Sequence, residues 1–293
     1  MSSASETLLG SSYVDLHCHS TASDGTLTPL EVVRLAKSSG LSGLSLTDHD
    51  TIAGISEACS AASSLGIDFL PGIEISCKYP HPGTMHLLGY GIDPDSPALA
   101  RMMRRLIVAR DRRNRLMVAR LNKLGIKLTL DDVRAEGNGV IGRLHMAKAL
   151  VREGCVRTTR EAFSHYLGRG GSAWIDKEQL TPRQAIATIH TAGGLAVLAH
   201  PVQLRAQSDS QLAAVLTDLT DSGLDGIEVI HSDHDRAMMA RLEGWARRLK
   251  LLPTGGSDFH GGNKPAVRLG RAGLRRVPRA WFDALASRVA VSG

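Results

Sequence analysis

Two histidines separated by one residue follow the first apolar run of the chain, in the segment YVDLHCHS at residues 13–20. Alternate residues of a strand point to the same side, so Asp15, His17 and His19 are expected to share one face. Two imidazoles held close together on a rigid element can bind a metal ion. Because so short a motif also occurs as two ordinary polar residues at a strand end, the rest of the sequence must decide.

The same pattern recurs at five further apolar runs, each of which contains or ends on an imidazole or a carboxylate. These residues are Asp48, His49 and Asp50 after LSLT, Glu74 within GIEI, His86 within MHLL, His200 after LAVLA, and Asp258 and His260 in GSDFH. Asp24 lies shortly after the first motif and joins these candidates. Unpaired polar groups are costly in a core, and metal coordination explains so many of them together.

Alternating strands and helices must position these side chains. Thr28-Pro29 and Thr181-Pro182 are typical helix starts, and further helices are predicted over residues 51–65, 211–221 and 235–250. Short apolar strands between helices favour a parallel α/β architecture. Ligands from many strand ends favour an α/β barrel, whereas the alternative, an open doubly wound sheet, gathers ligands from fewer strands.

Strand patterns disappear between residues 93 and 178, where helical patterns take over. This segment carries 18 Lys and Arg against 10 Asp and Glu, a net charge of +8, whereas the rest of the chain carries 17 against 19, a net charge of −2. We therefore expect a barrel of residues 13–92 and 179–293, with a basic helical insertion of residues 93–178 packed over it as a cap. Residues 1–12 are expected to be a disordered lead-in.

The insertion contains candidates for binding phosphate. Arg113 and Asn114 fall within the apolar arc of its long first helix, and Arg143 and His145 begin a later helix, where free N–H groups favour anions. An arginine offers paired donors to a phosphate group. The alternative is that the arginines of the long helix snorkel, with their aliphatic stems buried and their charged ends in water.

The composition, with 43% hydrophobic and 22% charged residues, is that of an ordinary globular protein. No apolar run approaches the roughly 20 residues of a membrane span, and the N-terminus does not resemble a secretory signal. The four cysteines form no CxxC pair and are expected to be free thiols, which favours a cytoplasmic location. The sequence gives no sign of a protein partner.

The motifs DLHCHS, SDG, LTDHDT, PGIEIS, HLLGY, LAHP and GSDFHG, in this order, resemble those of the PHP family, named for polymerase and histidinol phosphatase. They cover residues 13–92 and 181–270. The basic insertion and the segment GRLH at residues 142–145 resemble the subgroup acting on nucleoside 3′,5′-bisphosphates and short RNA 5′ ends, although Leu144 stands where proline is expected there. The resemblance implies a distorted (β/α)7 barrel with a two- or three-metal centre.

The resemblance also implies which residues bind which metal. One metal is assigned to His17, His19, Glu74 and Asp258, a second to Glu74, His86 and His200, and a third to Asp24, His49 and His260. Glu74 would bridge the first two ions. Asp15, Asp48 and Asp50 are then expected to orient the imidazoles. Such mixed ligands suit Mn, Fe or Zn, with Mn favoured.

The implied activity is that of a metal-dependent phosphoesterase that hydrolyses a nucleotide 3′,5′-bisphosphate or short 5′-phosphorylated RNA by metal-activated water. The expected catalytic residues are Asp24, His49, Glu74 and His200, and the expected substrate-binding residues are Asp24, Arg113, Asn114, Arg143 and His145. One alternative, a phosphomonoesterase for a small metabolite such as histidinol phosphate, does not explain so basic an insertion. The other, a non-catalytic nucleic-acid-binding module, is disfavoured by the full set of ligands and by an aromatic content of only 4%.

Overall fold

The structure, a computed structural model, describes residues 12–137, 141–273 and 275–292. It divides into two compact units. One unit joins the chain up to Ser96 with the chain from Leu180 onward, and the other comprises Pro97–Gln179. The predicted lead-in over residues 1–12 lies outside the described residues except for Ser12.

Strands and helices alternate along the first unit except at residues 68–90 and 252–278, where strands follow one another without an α-helix between them, and the second unit is helical. The strands are β1 (Tyr13–Asp15), β2 (Leu41–Leu44), β3 (Asp68–Phe69), β4 (Gly72–Cys77), β5 (Met85–Tyr90), β6 (Leu195–Leu198), β7 (Gly226–Ile230), β8 (Leu252–Gly255) and β9 (Val277–Pro278). The helices are α1 (Pro29–Ser38), α2 (Ile55–Leu65), α3 (Pro97–Lys123), α4 (Leu130–Arg134), α5 (Arg143–Arg152), α6 (Thr159–Ala162), α7 (Pro182–Thr191), α8 (Asp209–Asp221), α9 (Arg236–Leu249) and α10 (Arg279–Ser292). None of these described helices is both long and apolar enough to cross a membrane.

Two helices of the first unit begin at complete capping boxes. Thr28 accepts a hydrogen bond from the backbone N–H of Glu31, whose carboxylate accepts one in return from the Thr28 N–H, so α1 starts with a complete capping box. Helix α7 starts in the same way at Thr181. Helix α2 begins at Ile55 rather than at the predicted residue 51, and it ends at Gly66, whose φ of 60° is left-handed.

The strands form two sheets, with the orders β3-β2-β1-β9 and β4-β5-β6-β7-β8. The predicted parallel arrangement holds for β1 with β2 and for β6, β7 and β8, but it is wrong for β5, which is antiparallel to both β4 and β6. Only residues 78–84 connect β4 to β5, and a parallel connection needs a dozen or more residues. Strand β9, which was not predicted, adds an antiparallel edge to β1.

Short backbone links join the two sheets on both sides. The residues after β1 bridge those after β8 through Cys18 and Phe259, and the residues after β2 bridge β4 through His49 and Glu74. Strands β1, β2 and β4–β8 therefore follow one another round a ring of seven, part of which is closed by single bridges rather than by continuous ladders. This arrangement is a distorted α/β barrel.

The second unit packs its own apolar core. Met117 and Leu121 of α3 lie with Met146 and Leu150 of α5 in one cluster of buried side chains. Thr129 caps α4 and Thr158 caps α6, and a π-helical turn over Phe163–Leu167 follows α6. No strand occurs in the part of Pro97–Gln179 that the structure describes.

Candidate metal centre

Glu74 lies at the middle of the site. It is the third residue of β4, and its side chain is fully buried. Its Oε1 is 2.8 Å from Nδ1 of His86 and 2.9 Å from Nε2 of His200, whereas its Oε2 is 2.9 Å from Nδ1 of His49. Because β5 runs opposite to its neighbours, His86 at the start of β5 reaches the edge where the other strands end. One carboxylate thus faces imidazoles from both sides.

A second carboxylate, Asp258, approaches the same centre from the segment after β8. Its Oδ1 is 3.2 Å from Nε2 of His19 and 3.5 Å from Nε2 of His17. The same two imidazole nitrogens lie 3.3 Å and 3.4 Å from Oε2 of Glu74. His17 and His19 therefore point between two carboxylates, as the alternation of the HxH segment predicts.

The third carboxylate, Asp24, lies on the exposed side of the cluster, with 49% of its side chain accessible. Its Oδ1 is 3.2 Å from Nε2 of His260 and 3.8 Å from Nδ1 of His19, and its Oδ2 is 3.9 Å from Nε2 of His49. His49 and His86 are also partly open, with side-chain exposures of 25% and 20%. This side is where a substrate can enter.

Among the described residues, four groups of side chains could each hold a metal ion, because the donor atoms within a group lie within 4.8 Å of one another. They are His19 with Asp24, His49 and His260; His17 with Glu74 and His200; His49 with Glu74 and His86; and His17 with His231 and Asp258. Together they contain every residue that the sequence analysis predicted to bind metal. They add one that it did not single out, His231.

Several buried donor atoms of the cluster lie close to one another but form no hydrogen bond with any described residue, although buried polar groups are normally paired. They are Nε2 of His17, both ring nitrogens of His19, Nδ1 of His49 and Oε2 of Glu74. A cation placed among them would satisfy these lone pairs. The donor set, imidazoles with carboxylates, suits borderline divalent metals such as Mn, Fe and Zn.

The buried carboxylates and imidazoles of the cluster shift one another's pKa values. Burial favours the neutral form of Glu74, but His49 and His86 outweigh it and hold the pKa of Glu74 well below its usual range. Burial likewise lowers the pKa of His19, but the neighbouring carboxylates of Asp258 and Glu74 raise it to about 9. For His200, burial dominates and lowers the pKa to about 4, which keeps this imidazole neutral and able to coordinate a metal.

Three aspartates predicted to orient the imidazoles accept hydrogen bonds from backbone and hydroxyl groups near the site. Asp15 accepts hydrogen bonds from the N–H of Ser257 at 2.9 Å and of Gly270 at 2.7 Å. Asp48 accepts from the N–H and the hydroxyl of Ser20. Asp50 accepts from the N–H of Ser76 at 2.9 Å. These bonds fix the segments that carry the imidazoles.

Glu228 orients an imidazole and was missed by the sequence analysis. Its Oε1 is 2.9 Å from Nδ1 of His17, and its Oε2 accepts the backbone N–H of His200 at 2.6 Å. Nδ1 of His17 is therefore the protonated nitrogen, and the lone pair of Nε2 points into the cluster. A signal was available, because a carboxylate within GIEVI of β7 repeats the pattern that identified Glu74 within GIEI.

The backbone at the site is left-handed at three residues that are not glycine. Asp50 has a φ of 51°, His200 of 25° and Asp258 of 57°. Side chains with a Cβ rarely adopt this region, and each such residue costs on the order of 1–3 kcal/mol when the surrounding structure enforces it. The turns that aim His200 and Asp258 into the cluster are thus held by their surroundings.

The four residues predicted to bind substrate from the insertion lie in the second unit. Asn114 is buried and donates to the carbonyl of Ile141 at 3.0 Å, and Arg113 beside it is only 7% exposed, so its guanidinium does not snorkel into water. Arg143 stacks on Trp174, with 4.6 Å between its guanidinium carbon and the ring centre. Nδ1 of His145 accepts the N–H of Gly142 and so caps its own helix.

Comparison with known proteins agrees with this geometry. A PHP domain family model matches residues 15–135. A 5′-3′ exoribonuclease of Haemophilus influenzae is 38% identical over 84% of this chain and 89% of its own length. A 3′,5′-nucleoside bisphosphate phosphatase of Chromobacterium violaceum is 36% identical over 84% of this chain and 87% of its own.

Solved structures give the same result. A Bifidobacterium adolescentis protein, proposed to be a metal-dependent phosphoesterase, superposes with a TM-score of 0.79 at 36% identity and covers 95% of this chain and 97% of its own. These relatives match most of this chain, so the similarity extends over both the barrel and the insertion. This chain belongs to the PHP domain family and is a hydrolytic phosphoesterase.

Proposed function

We propose that this phosphoesterase acts on nucleotides, by removing a phosphate from a nucleoside 3′,5′-bisphosphate or by releasing nucleotides from the 5′ end of short RNA. The observation that supports it most directly is Glu74. Its Oε1 faces His86 and His200 and its Oε2 faces His17 and His19, as a carboxylate shared by two cations would. The relatives named for these two activities, in Chromobacterium and Haemophilus, support the substrate class.

We assign the metal ligands as the sequence motifs imply. His17, His19, Glu74 and Asp258 would hold one ion, Glu74, His86 and His200 a second, and Asp24, His49 and His260 a third. The groups of close donor atoms divide the first two sets differently, because they place His17 with both Glu74 and His200. When bound, divalent ions of this kind, for which we favour Mn, supply a water of lowered pKa as the nucleophile and neutralise charge on the phosphoryl group. A shared carboxylate also offsets the mutual repulsion of neighbouring cations.

The protein's own residues have distinct tasks in this scheme. Glu74 and His200, both buried, fix the positions of the ions. Asp24 and His49, on the exposed side, face the entering phosphoester and would contact its phosphoryl group or leaving oxygen. The barrel thus needs no side-chain nucleophile.

The basic segment of residues 93–178 supports a nucleotide rather than a small metabolite as substrate, since its net charge of +8 attracts polyanions. We propose that this segment caps the barrel of residues 13–92 and 179–293. Arg113, Asn114, Arg143 and His145 would bind a second phosphate or the base. None of the four cysteines is in a disulfide, which supports a location in the reducing cytoplasm.

A substrate panel tests the proposal. Turnover of phosphoadenosine phosphate, a 5′-phosphorylated RNA dinucleotide and histidinol phosphate is measured on chelator-treated protein and again after Mn²⁺ is restored. We expect Mn²⁺ to restore turnover of the two nucleotide substrates, and His17→Ala to abolish it without unfolding the barrel. Preferred turnover of histidinol phosphate would point to a metabolite phosphatase, and undiminished turnover in protein shown to be metal-free would overturn the metal assignment.

A further inference from the structure

The two oxygens of Asp258 face different neighbours. Oδ1 points inward to the imidazoles of His17 and His19. Oδ2 points away from them and lies 3.3 Å from Nε2 of His231 and 2.6 Å from the ammonium of Lys264. Only one oxygen of this carboxylate is therefore directed at the proposed metal position, and the other is engaged by two further side chains.

His231 follows β7 and is almost completely buried, with 1% of its surface exposed. Its Nδ1 accepts the backbone N–H of Asp233 at 3.0 Å, so the ring proton of the neutral imidazole must be on Nε2. Nε2 then donates to Oδ2 of Asp258. Although His231 lies within ligand distance of His17 and Asp258, its hydrogen bonds make it a donor to the carboxylate rather than a ligand.

The loop that carries His231 is tied to the segment that carries Asp258. The hydroxyl of Ser232 donates to the carbonyl of Ser257 at 2.6 Å, immediately before Asp258. Lys264 differs from His231, because 40% of its side chain is exposed and its flexible stem comes from a surface turn. Of the two contacts to Oδ2, only that of His231 is fixed on both sides by the fold.

We propose that His231 is a positioning residue for metal binding: it holds Oδ2 of Asp258 so that this carboxylate binds metal through Oδ1 alone. A carboxylate free to rotate about its last bond would exchange its oxygens or bind through both, with a different ion geometry. The inference rests on the proposed function in one respect, which is that Asp258 is taken as a metal ligand.

The test measures Mn²⁺ affinity directly, from the electron paramagnetic resonance signal of free Mn²⁺ during titration of metal-free protein. His231→Phe keeps the ring volume and removes the donor, whereas His231→Gln keeps a donor in the place of Nε2. We expect His231→Phe to weaken the tightest Mn²⁺ site by about 10- to 100-fold, as is usual for such outer partners, and His231→Gln to stay within about threefold of wild type.

A matched control is His234→Phe. His234 lies on the same loop and is also buried, but it hydrogen-bonds the carbonyl of Val229. We expect this variant to bind Mn²⁺ as wild type does, and the melting temperature of metal-free His231→Phe to equal that of metal-free His234→Phe. Matching losses in the two Phe variants would assign the effect to general packing and overturn the proposal.

Two further outcomes separate this inference from the proposed function. If His231→Gln loses Mn²⁺ as badly as His231→Phe does, His231 is a ligand and its positioning role is wrong. Asp258→Asn serves as the reference. If Asp258→Asn weakens Mn²⁺ binding and His231→Phe does not, only the inference about His231 fails, whereas undiminished binding in Asp258→Asn would remove the metal assignment of Asp258 itself.

Discussion

Glu74 is the residue on which the site depends most. It is fully buried, and its position inside β4 would be strongly destabilising without the imidazoles around it. Their charges keep its pKa well below the usual range, so it is ionised at neutral pH. His49 lies at the margin by comparison, with 25% of its side chain exposed.

Replacing Glu74 with glutamine retains the size and removes the charge. We expect Glu74→Gln to lower kcat by more than the roughly 100-fold that the loss of an outer partner costs, because two ions would lose their shared ligand. His49→Ala should cost less, since it removes a ligand from the exposed position alone. Steady-state kinetics at saturating Mn²⁺, with metal content measured in parallel, compares the two, and wild-type kcat in Glu74→Gln would contradict the bridging assignment.

At the level of elements, the site depends on a close approach between the segments after β1 and β8. A Cβ on Gly256 would lie 2.4 Å from the backbone nitrogen of His17 and 2.7 Å from its Cα. Neither backbone can yield without moving His17, so only glycine fits here. Gly244, inside α9, is the opposite case, because a Cβ there meets nothing within 4 Å.

The two glycines give a matched pair of alanine substitutions. We expect Gly256→Ala to destabilise the metal-free protein by about 1–3 kcal/mol through overpacking and to reduce Mn²⁺ retention. Gly244→Ala should instead stabilise it by about 0.5–1 kcal/mol through helix propensity, with Mn²⁺ retention unchanged. Denaturant unfolding monitored by circular dichroism measures both, and equal effects of the two substitutions would show that the approach of β8 to His17 is not rigid.

Alanine substitutions at two neighbouring arginines test the role of the long helix α3. Arg113 is buried and Arg112 beside it is exposed. If Arg113 binds a substrate phosphate, Arg113→Ala should lower kcat/KM for a 3′,5′-bisphosphate by roughly 10- to 150-fold, the equivalent of about 1.5–3 kcal/mol for a charge-assisted contact. A small generic phosphoester and the Arg112→Ala control should change far less. Parallel losses on both substrates, with a lower melting temperature, would assign Arg113 a structural role.

The sequence predicted which segments meet around Glu74, because each of them joins a buried strand to a polar side chain. The prediction of strand direction failed where it depended on the length of a connection. Strand β5 was expected to be parallel to its neighbours, although the seven residues before it allow only a hairpin. Glu228 could have been recognised from GIEVI, but its contact with His17 could not, because the two residues are 211 positions apart. The stacking of Arg143 on Trp174 was not predicted for the same reason, because local periodicity carries no information about distant pairs.

For the whole molecule, one pair away from the metal centre makes stability depend on pH. His190 of α7 lies 2.7 Å from Asp225, and this hydrogen bond raises the pKa of His190 above its ordinary value of 6.5. A raised pKa in the folded state means that the pair stabilises fully below pH 6.5 and that its contribution is lost as pH rises through the folded pKa. Since His190 is 40% exposed, the contribution should stay within about 1 kcal/mol.

We expect His190→Gln to remove this part of the pH dependence. The difference in unfolding free energy between wild type and His190→Gln should be largest near pH 5.5 and should shrink towards pH 8.5. Urea unfolding at several pH values provides the measurement. Thr191→Ala, on the same helix, controls for loss of a neighbouring hydrogen bond, and a difference that stays constant with pH would show that the ion pair does not form.

The left-handed backbone at Asp50, His200 and Asp258 affects which substitutions selection for stability would favour. At such positions glycine is the less strained residue, so a change to glycine at His200 or Asp258 would relieve backbone strain while it removes a proposed ligand. Directed evolution that selects only for heat resistance would therefore favour these glycine substitutions and yield stable proteins without activity. At His200 and Asp258, selection for stability and selection for activity therefore favour different residues.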